Sequence, residues 1–291
     1  MRRFSMLGSL PLLFAFALFG CAEETSPKPH VQKPTVHQKA ASKAASEAPS
    51  KASSEAPSKG AAMPLAKSLA KKPPRNGHDL KHPPIDCPLR KAGIDPGKMR
   101  PFAQVSRYIA FLERKDRAAW QKPDAVVAAL KLRGDETVAD LGAGSGYFAF
   151  RFAKALPRGK VIAADIEPEM IRHIHHKAVS EGVRNLEATV LKPGLPALPK
   201  GLDLVFICDV LHHVLKRPRW LKHVVASLAP GGRLALIEFK AGKLPEGPPE
   251  KLKIPRRELI ALAKGAGLTL AADHGKLLPY QSYLVFRRPS P

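Results

Sequence analysis

The chain has 291 residues, 48 of them Lys or Arg against 25 Asp or Glu, and a formal net charge of +23. That length holds one domain of ordinary size with appendages. Basicity runs throughout, since residues 1–78 carry 12 basic and 4 acidic side chains and the remainder 36 and 21; it suits nucleic acid, anionic lipid or an anionic substrate, and equally a solvated basic face. There are three cysteines and no Cys/His pair at structural-zinc spacing, so no metal is indicated.

The N-terminus reads Met-Arg-Arg, then an apolar run from Met6 to Phe19, then Gly20 and Cys21. The run is shorter than the roughly 20 residues a spanning helix needs, whereas a basic start, a short apolar stretch and a small residue make a secretory signal. Leu18-Phe19-Gly20-Cys21 resembles a bacterial lipobox, whose cysteine thiol is lipidated and becomes the mature N-terminus. Phe19 is bulky for that motif, which leaves a plain signal peptide as the alternative. Residues 1–20 are therefore expected to be a signal and Cys21 a membrane anchor on a periplasmic or outer face. An internal start at Met63 would instead give a cytoplasmic protein.

Residues 21–78 are dominated by Ala, Ser, Pro and Lys, with the octapeptide of 43–50 repeated at 51–58. Such a segment cannot bury enough apolar surface to offset its ordering entropy and reads as a disordered tether. Residues 79–124 form a Pro-rich lead, HPPIDCPLR at 82–90, and a helical cap. The cap has a helix from Pro101 to about Arg114, then DRAAWQKP at 116–123, where Pro123 and Asp124 fit the start of a helix over Ala125–Leu132. Cys87 here and Cys208 far along the chain could pair in an oxidising compartment, although sequence separation does not establish proximity.

From residue 125 to 291 strands alternate with helices. The predicted strands are Thr137–Leu141, Lys160–Ile166, Leu186–Val190, Leu202–Cys208 and Arg233–Phe239; the helices are Tyr147–Leu156, Pro168–Ser180, Pro218–Leu228 and Pro255–Ala266. This is the period of a doubly wound parallel α/β sheet. Two further strands, near Leu268–Ala272 and Tyr283–Arg287, have too short a link for a helical crossover and should be antiparallel.

Residues 137–148, TVADLGAGSGYF, carry an apolar strand into Asp140 and then glycines at 142, 144 and 146. Alternate glycines let a ligand lie against bare peptide. A dinucleotide fingerprint needs its third glycine at 147, which is Tyr, so the NAD reading weakens. Asp-x-Gly-x-Gly-x-Gly instead resembles the first motif of the class I S-adenosylmethionine-dependent methyltransferases. The resemblance covers roughly residues 80–288 and implies a Rossmann-like, mostly parallel seven-stranded sheet with an antiparallel C-terminal edge strand. It also implies S-adenosylmethionine as cofactor. Asp140 would hold the glycine loop or reach the methionine amino group through water. Gly142, Ala143, Gly144 and Gly146 would admit the cofactor closely, and Tyr147 would pack over it.

At the end of the second strand Asp165, followed by Ile166, is placed to accept the ribose hydroxyls. Glu167 and Glu169 read as first-turn charges. The adenine side is shortened around Lys192–Pro196, which leaves backbone amides near Leu191, or Glu187, as its contacts. LDLVFICDVLHHV at 202–214 delivers Asp209, His212 and His213 to a strand's carboxyl end and looks like the family's fourth motif. Asp209 is a cofactor and catalytic candidate, and His212 or His213 a proton acceptor beside the substrate. LAPGGRL at 228–234 and Glu238 match the family as well.

GPPEKLKI at 247–254, LPYQSYLVF at 278–286 and the segment 117–123 resemble a subgroup acting on small molecules, with Tyr280 and Gln281 as candidates to line the acceptor pocket. The expected protein is a monomeric, membrane-tethered methyltransferase with a small or lipophilic acceptor. Two alternatives stand beside it. The charge prompts a nucleic-acid (RNA) methyltransferase, against which stand the signal and the absence of an Asn/Asp-Pro-Pro-aromatic motif at Cys208–Leu211, so no nucleic-acid partner is expected. The compartment prompts a non-catalytic lipoprotein that keeps the fold, because S-adenosylmethionine is made in the cytoplasm.

Overall fold

The computed structural model describes residues 87–95, Met99 and residues 102–290. The expected signal, Cys21, the tether and the lead up to Asp86 lie outside the described residues.

Four helices precede the sheet: α1 (Pro88–Lys91), α2 (Phe102–Leu112), α3 (Arg117–Gln121) and α4 (Pro123–Ala129). Strands and helices then alternate as β1 (Thr137–Leu141), α5 (Ala149–Ala155), β2 (Lys160–Asp165), α6 (Pro168–Ser180), β3 (Leu186–Val190), β4 (Leu202–Cys208), α7 (Arg217–Val225), β5 (Leu228–Phe239) and α8 (Arg256–Gly265). The sheet is completed by β6 (Thr269–Asp273) and β7 (Gln281–Arg287). α3 was not expected as a separate element. Lys122, at φ 43°, ends it in the left-handed conformation and is followed at once by Pro123 at the first position of α4, where its fixed φ suits a helix start.

The seven strands run in the order β3-β2-β1-β4-β5-β7-β6. β1 to β5 are parallel to their neighbours, and β7 is antiparallel to both β5 and β6. The expected antiparallel pair therefore forms, but the antiparallel strand lies one place inside the edge. β7 is fully buried up to Phe286, whereas the edge strand β6 is largely exposed.

Side-chain alternation along each strand divides the core between the two faces. Ala139, Leu141, Val205, Ile207, Leu234, Leu236, Leu284 and Phe286 face Trp220, Leu221 and Val224 of α7 and Leu259 of α8. Val138, Val161, Leu204, Phe206, Ile237 and Tyr283 face Val126 and Leu130 at α4, Phe148 and Phe152 at α5, and Ile171 and Ile174 on α6. The cap rests on this second layer through Val105 and Ile109 of α2 against Met170 of α6.

Parallel strands bring their carboxyl ends to one edge. The register puts Asp140 opposite Ala163, Asp165 opposite Val190, Cys208 opposite Ile237 and Phe239 opposite Gln281, so the chemistry-bearing residues share that edge. The two cysteines among the described residues are free, Cys87 buried beside α1 and Cys208 at the end of β4, and the considered disulfide between them is not formed. Among the described residues no helix is long and apolar enough to cross a membrane.

Phe206 is wholly buried, with ring centroids 4.8 Å from Phe148 and 4.9 Å from Phe152. Truncation there leaves a cavity where a strand meets α5, so Phe206→Ala is expected to cost about 3–5 kcal/mol in urea unfolding.

Candidate active site

The turn after β1 depends on its glycines. Gly142 has φ 82°, and a Cβ on it would come within 2.3 Å of Val210 Cγ2, in the loop after β4. A Cβ on Gly144, at φ 54°, would come within 3.2 Å of Leu112 Cδ1, so the end of α2 in the cap lies closely over the turn at this point. The loop amides are spent on holding it. Gly142 and Ala143 both donate to the Ala164 carbonyl, at 2.7 and 3.1 Å, and Gly146 donates to that of Ala143. Gly144 N donates to Asp165 Oδ2 at 2.8 Å.

Asp165 accepts a second amide, that of Glu167, on Oδ1 at 2.9 Å. The Ile166 amide is a third donor, so of a carboxylate's roughly four acceptor sites about one is left. Burial raises its pKa despite these amides. Ile166 beside it is 51% exposed, an apolar surface next to the ribose-type site.

Asp140 is 3% exposed. Burial, and after it the charge of Asp165, raises its pKa to about 7, opposed by the amide of Ala149 at the start of α5 and by Arg117. The carboxylate thus bridges the glycine turn to α5, while its Oδ2 is buried without a partner. Tyr147 lies between two guanidinium groups, with Arg117 Cζ 4.1 Å and Arg151 Cζ 4.3 Å from its ring centroid. Its expected place over a cofactor is taken by these contacts.

Asp209 occupies the loop after β4 at φ 59°, an unfavourable backbone region for a residue with a Cβ. Gln281 Nε2 lies 2.8 Å from both of its oxygens, and Gln121 Nε2 is 3.3 Å from Oδ2. The two amides also meet each other at 3.2 Å. Burial and the charge of Glu238 raise the Asp209 pKa; Arg117, His212 and the Gln281 hydrogen bond oppose them. Burial likewise pushes the adjoining Cys208 thiol up.

The two histidines part company. His212 is 7% exposed and its Nδ1 lies 2.7 Å from Glu238 Oε2, while the amides of Leu211 and His212 donate to Glu238 Oε1. Burial lowers its pKa, but the hydrogen bond and charge of Glu238, with Asp209 behind, outweigh that and raise it. His212 fastens the loop after β4 to β5 and does not face an acceptor. His213 is exposed and stacks 4.0 Å from His212; burial of part of its ring and then the charge of His212 lower its pKa. Of the two, only His213 has an exposed ring.

The expected adenine contacts fail. Leu191 N donates to the Asp165 carbonyl at 2.8 Å, and Glu187 pairs with Lys160 at 2.7 Å in mid-strand, opposite Ile162. Gln281 does not line a pocket; it is wholly buried on Asp209. Trp120 packs on Phe239 and Tyr280, at 5.7 and 6.0 Å, over the ends of β5 and β7. Sequence reading missed Gln121 and Arg117, because nothing local marks them and Gln121 meets Asp209 across 88 residues of chain.

A methyltransferase-domain family matches residues 139–234. The chain is 32% identical over 144 residues to a tRNA U34 carboxymethyltransferase of Desulfotalea psychrophila, covering 48% of this chain and 43% of that protein. It is 32% identical over 111 residues to the ubiquinone/menaquinone biosynthesis C-methyltransferase UbiE of Hydrogenovibrio crunogenus, covering 37% and 44%. The chain thus spans less than half the length of these two curated relatives. A SAM dependent methyltransferase structure from Aquifex aeolicus superposes with a TM-score of 0.58 at 24% identity, over 62% of this chain and 97% of that one. That likeness establishes the fold.

Asp140 and Asp209, both raised by burial, and His212, raised by Glu238, bind protons more tightly folded than unfolded. For a group raised in the folded state, stability is complete below the unfolded pKa and is lost as pH rises through the folded value. The ligand-free protein is therefore expected to lose stability from pH 5 to pH 8, on the order of 1 kcal/mol per pH unit for each titrating group. Asp140→Asn should flatten the slope in urea unfolding across that range.

Proposed function

We propose that this chain, with its seven-stranded sheet and its match to a methyltransferase domain over residues 139–234, is a class I S-adenosylmethionine-dependent enzyme that transfers the methyl group to a small or lipophilic acceptor. The observation that carries the reading is the cradle between β1 and β2. It joins a turn kept bare of side chains by Gly142, Gly144 and Gly146, an Asp165 with an acceptor site to spare and a buried Asp140 oxygen without a partner.

These residues fit the cofactor. Asp165 would hold the ribose hydroxyls, Ile166 a face of the base, and Asp140 Oδ2 the amino group. When bound, the cofactor supplies a methyl group on a sulfonium that leaves as a neutral thioether. The chain's own task is then alignment and exclusion of water. Burial raises the pKa of Tyr108 on α2, with the charges of Asp165 and Asp209 adding to it and that of Arg117 opposing. Asp209, fixed by Gln121 and Gln281, holds a proton more readily than an ordinary carboxylate. That tuning suits a group receiving one from a protic acceptor near neutral pH, with His213 beside it.

The likeness to UbiE supports a small acceptor. Tethering through lipidated Cys21 rests on the N-terminal pattern, and mass spectrometry of the native N-terminus tests it: diacylglyceryl-Cys21 is expected, and a start at Met63 refutes the anchor. The likeness to a tRNA-modifying enzyme, with the +23 charge, favours a second reading on RNA. Salt-dependent RNA binding that competes with the cofactor would support it.

Calorimetry tests the cradle directly. S-adenosylhomocysteine is expected to bind in the micromolar range. Asp165→Ala should weaken it by on the order of a hundredfold, through loss of charge-assisted hydrogen bonds. Gly144→Val should abolish it, and a full-length protein that binds neither nucleoside at millimolar concentration would remove the reading.

A further inference from the structure

We propose that the corner of the molecule where the loop before α7 meets the link after β3 docks on an anionic lipid bilayer. Leu215 enters the acyl chains, Lys192, Lys216 and Arg219 meet the lipid phosphates, and the carboxyl edge of the sheet is turned toward the membrane. The purpose of the docking, delivery of a lipophilic acceptor from the bilayer, rests on the reading above; the binding itself does not.

The first observation is where apolar surface is left in water. Most of the large apolar side chains exposed among the described residues belong to the cap or to chain leaving the carboxyl ends of β2, β3 and β4, including Phe111, Ile166, Leu195 and Leu215. Leu215 is the extreme, at 77% exposure, two residues beyond His213 and directly before Lys216 at the start of α7. Single apolar side chains scattered over a surface need no explanation, but a set gathered toward one edge marks an interaction site. Leu195 is tied to the same corner. The next residue, Pro196, has its carbonyl 3.0 Å from His223 Nε2 of α7, and His223 stands one turn along that helix from Arg219.

The second observation is charge. Between Leu191 and Ile237 the acidic residues are Asp203 and Asp209 alone, against seven lysines and arginines. Asp203 pairs with Arg133 at 3.4 Å, and Asp209 is held by Gln281. Arg217 is engaged by Glu258 at 3.5 Å, whereas Lys192, Lys216 and Arg219 are exposed and form no ion pair among the described residues. A basic surface by itself suits RNA and lipid equally. Leu215 decides between them, because an aliphatic side chain standing in water gains little from a phosphate or a base edge and is stabilised by moving into hydrocarbon. Basic side chains around an apolar anchor fit an anionic leaflet, each lysine or arginine adding to the attraction close to the surface.

The test is co-sedimentation of the full-length Cys21→Ser protein, which cannot carry a lipid on that thiol, with vesicles of phosphatidylglycerol or of phosphatidylcholine. This parent is expected to bind phosphatidylglycerol at least roughly tenfold more tightly, and to lose the preference as salt is raised. Adding Leu215→Ser should weaken binding to phosphatidylglycerol by roughly tenfold. Adding Lys216→Gln with Arg219→Gln should weaken it by roughly twentyfold. All three side chains are exposed, so the variants keep the fold, and their calorimetric affinity for S-adenosylhomocysteine should match the parent's. Residues 1–86 are common to every protein compared, so a fall in binding reports this corner. Unchanged phosphatidylglycerol binding in the variants, or equal binding of the two lipids by the parent, overturns the proposal. So does RNA binding that the variants lose while vesicle binding persists. Variant-sensitive docking by a chain that binds no S-adenosylhomocysteine upholds the docking and removes the cofactor reading; the reverse result removes the docking alone.

Discussion

Four carboxylates lie along one edge of the sheet, and the rest of the site is arranged around making that tolerable. Asp140, Asp165 and Glu238 lie in the last two residues of β1, β2 and β5 and Asp209 directly after β4, and burial of charge without compensation is costly. Each is compensated differently. Asp165 takes three backbone amides, Glu238 two amides and a histidine, and Asp209 two glutamine amides. Asp140 has one amide and a pKa near neutrality. Because the compensation comes from four separate parts of the chain, the edge is also where those parts are joined.

The division of labour between the two halves of this edge follows from the partners. Asp165 is compensated by fixed backbone amides, which suits the binding role proposed for it. Asp209 is compensated by neutral side-chain amides and faces a neighbouring carboxylate, which leaves it readily protonated. His212 is bound to Glu238 so tightly that it belongs to the framework, whereas its neighbour His213 is exposed.

The parallel sheet was legible because its signals are local: apolar runs ending in Asp140, Asp165 and Asp209, separated by helices with proline at their starts. β1, β3, β4 and α6 match their predicted spans to the residue. The glycine turn and Asp165 were readable for the same reason. What escaped is non-local. Lys122 in the left-handed conformation splits off α3 where composition suggested one irregular lead, and Gln121 and Gln281 become functional only by meeting Asp209. Side-chain amides carry no periodic signature, and a histidine pair gives no hint which ring is bound to a buried glutamate.

The position of β7 ties assembly to chemistry. β6 is made before β7, yet β6 joins the sheet only through β7, which fills the place beside β5. Until Gln281–Arg287 emerges and inserts, a growing chain holds β5 with an open edge and β6 with nowhere to pair, a pairing between distant segments that is slow to form. The first residue of that strand is Gln281, the amide donor to Asp209. Closing the sheet and fixing Asp209 are therefore one event, because the strand that brings Tyr283, Leu284 and Phe286 into the two core layers begins with the amide that holds this carboxylate.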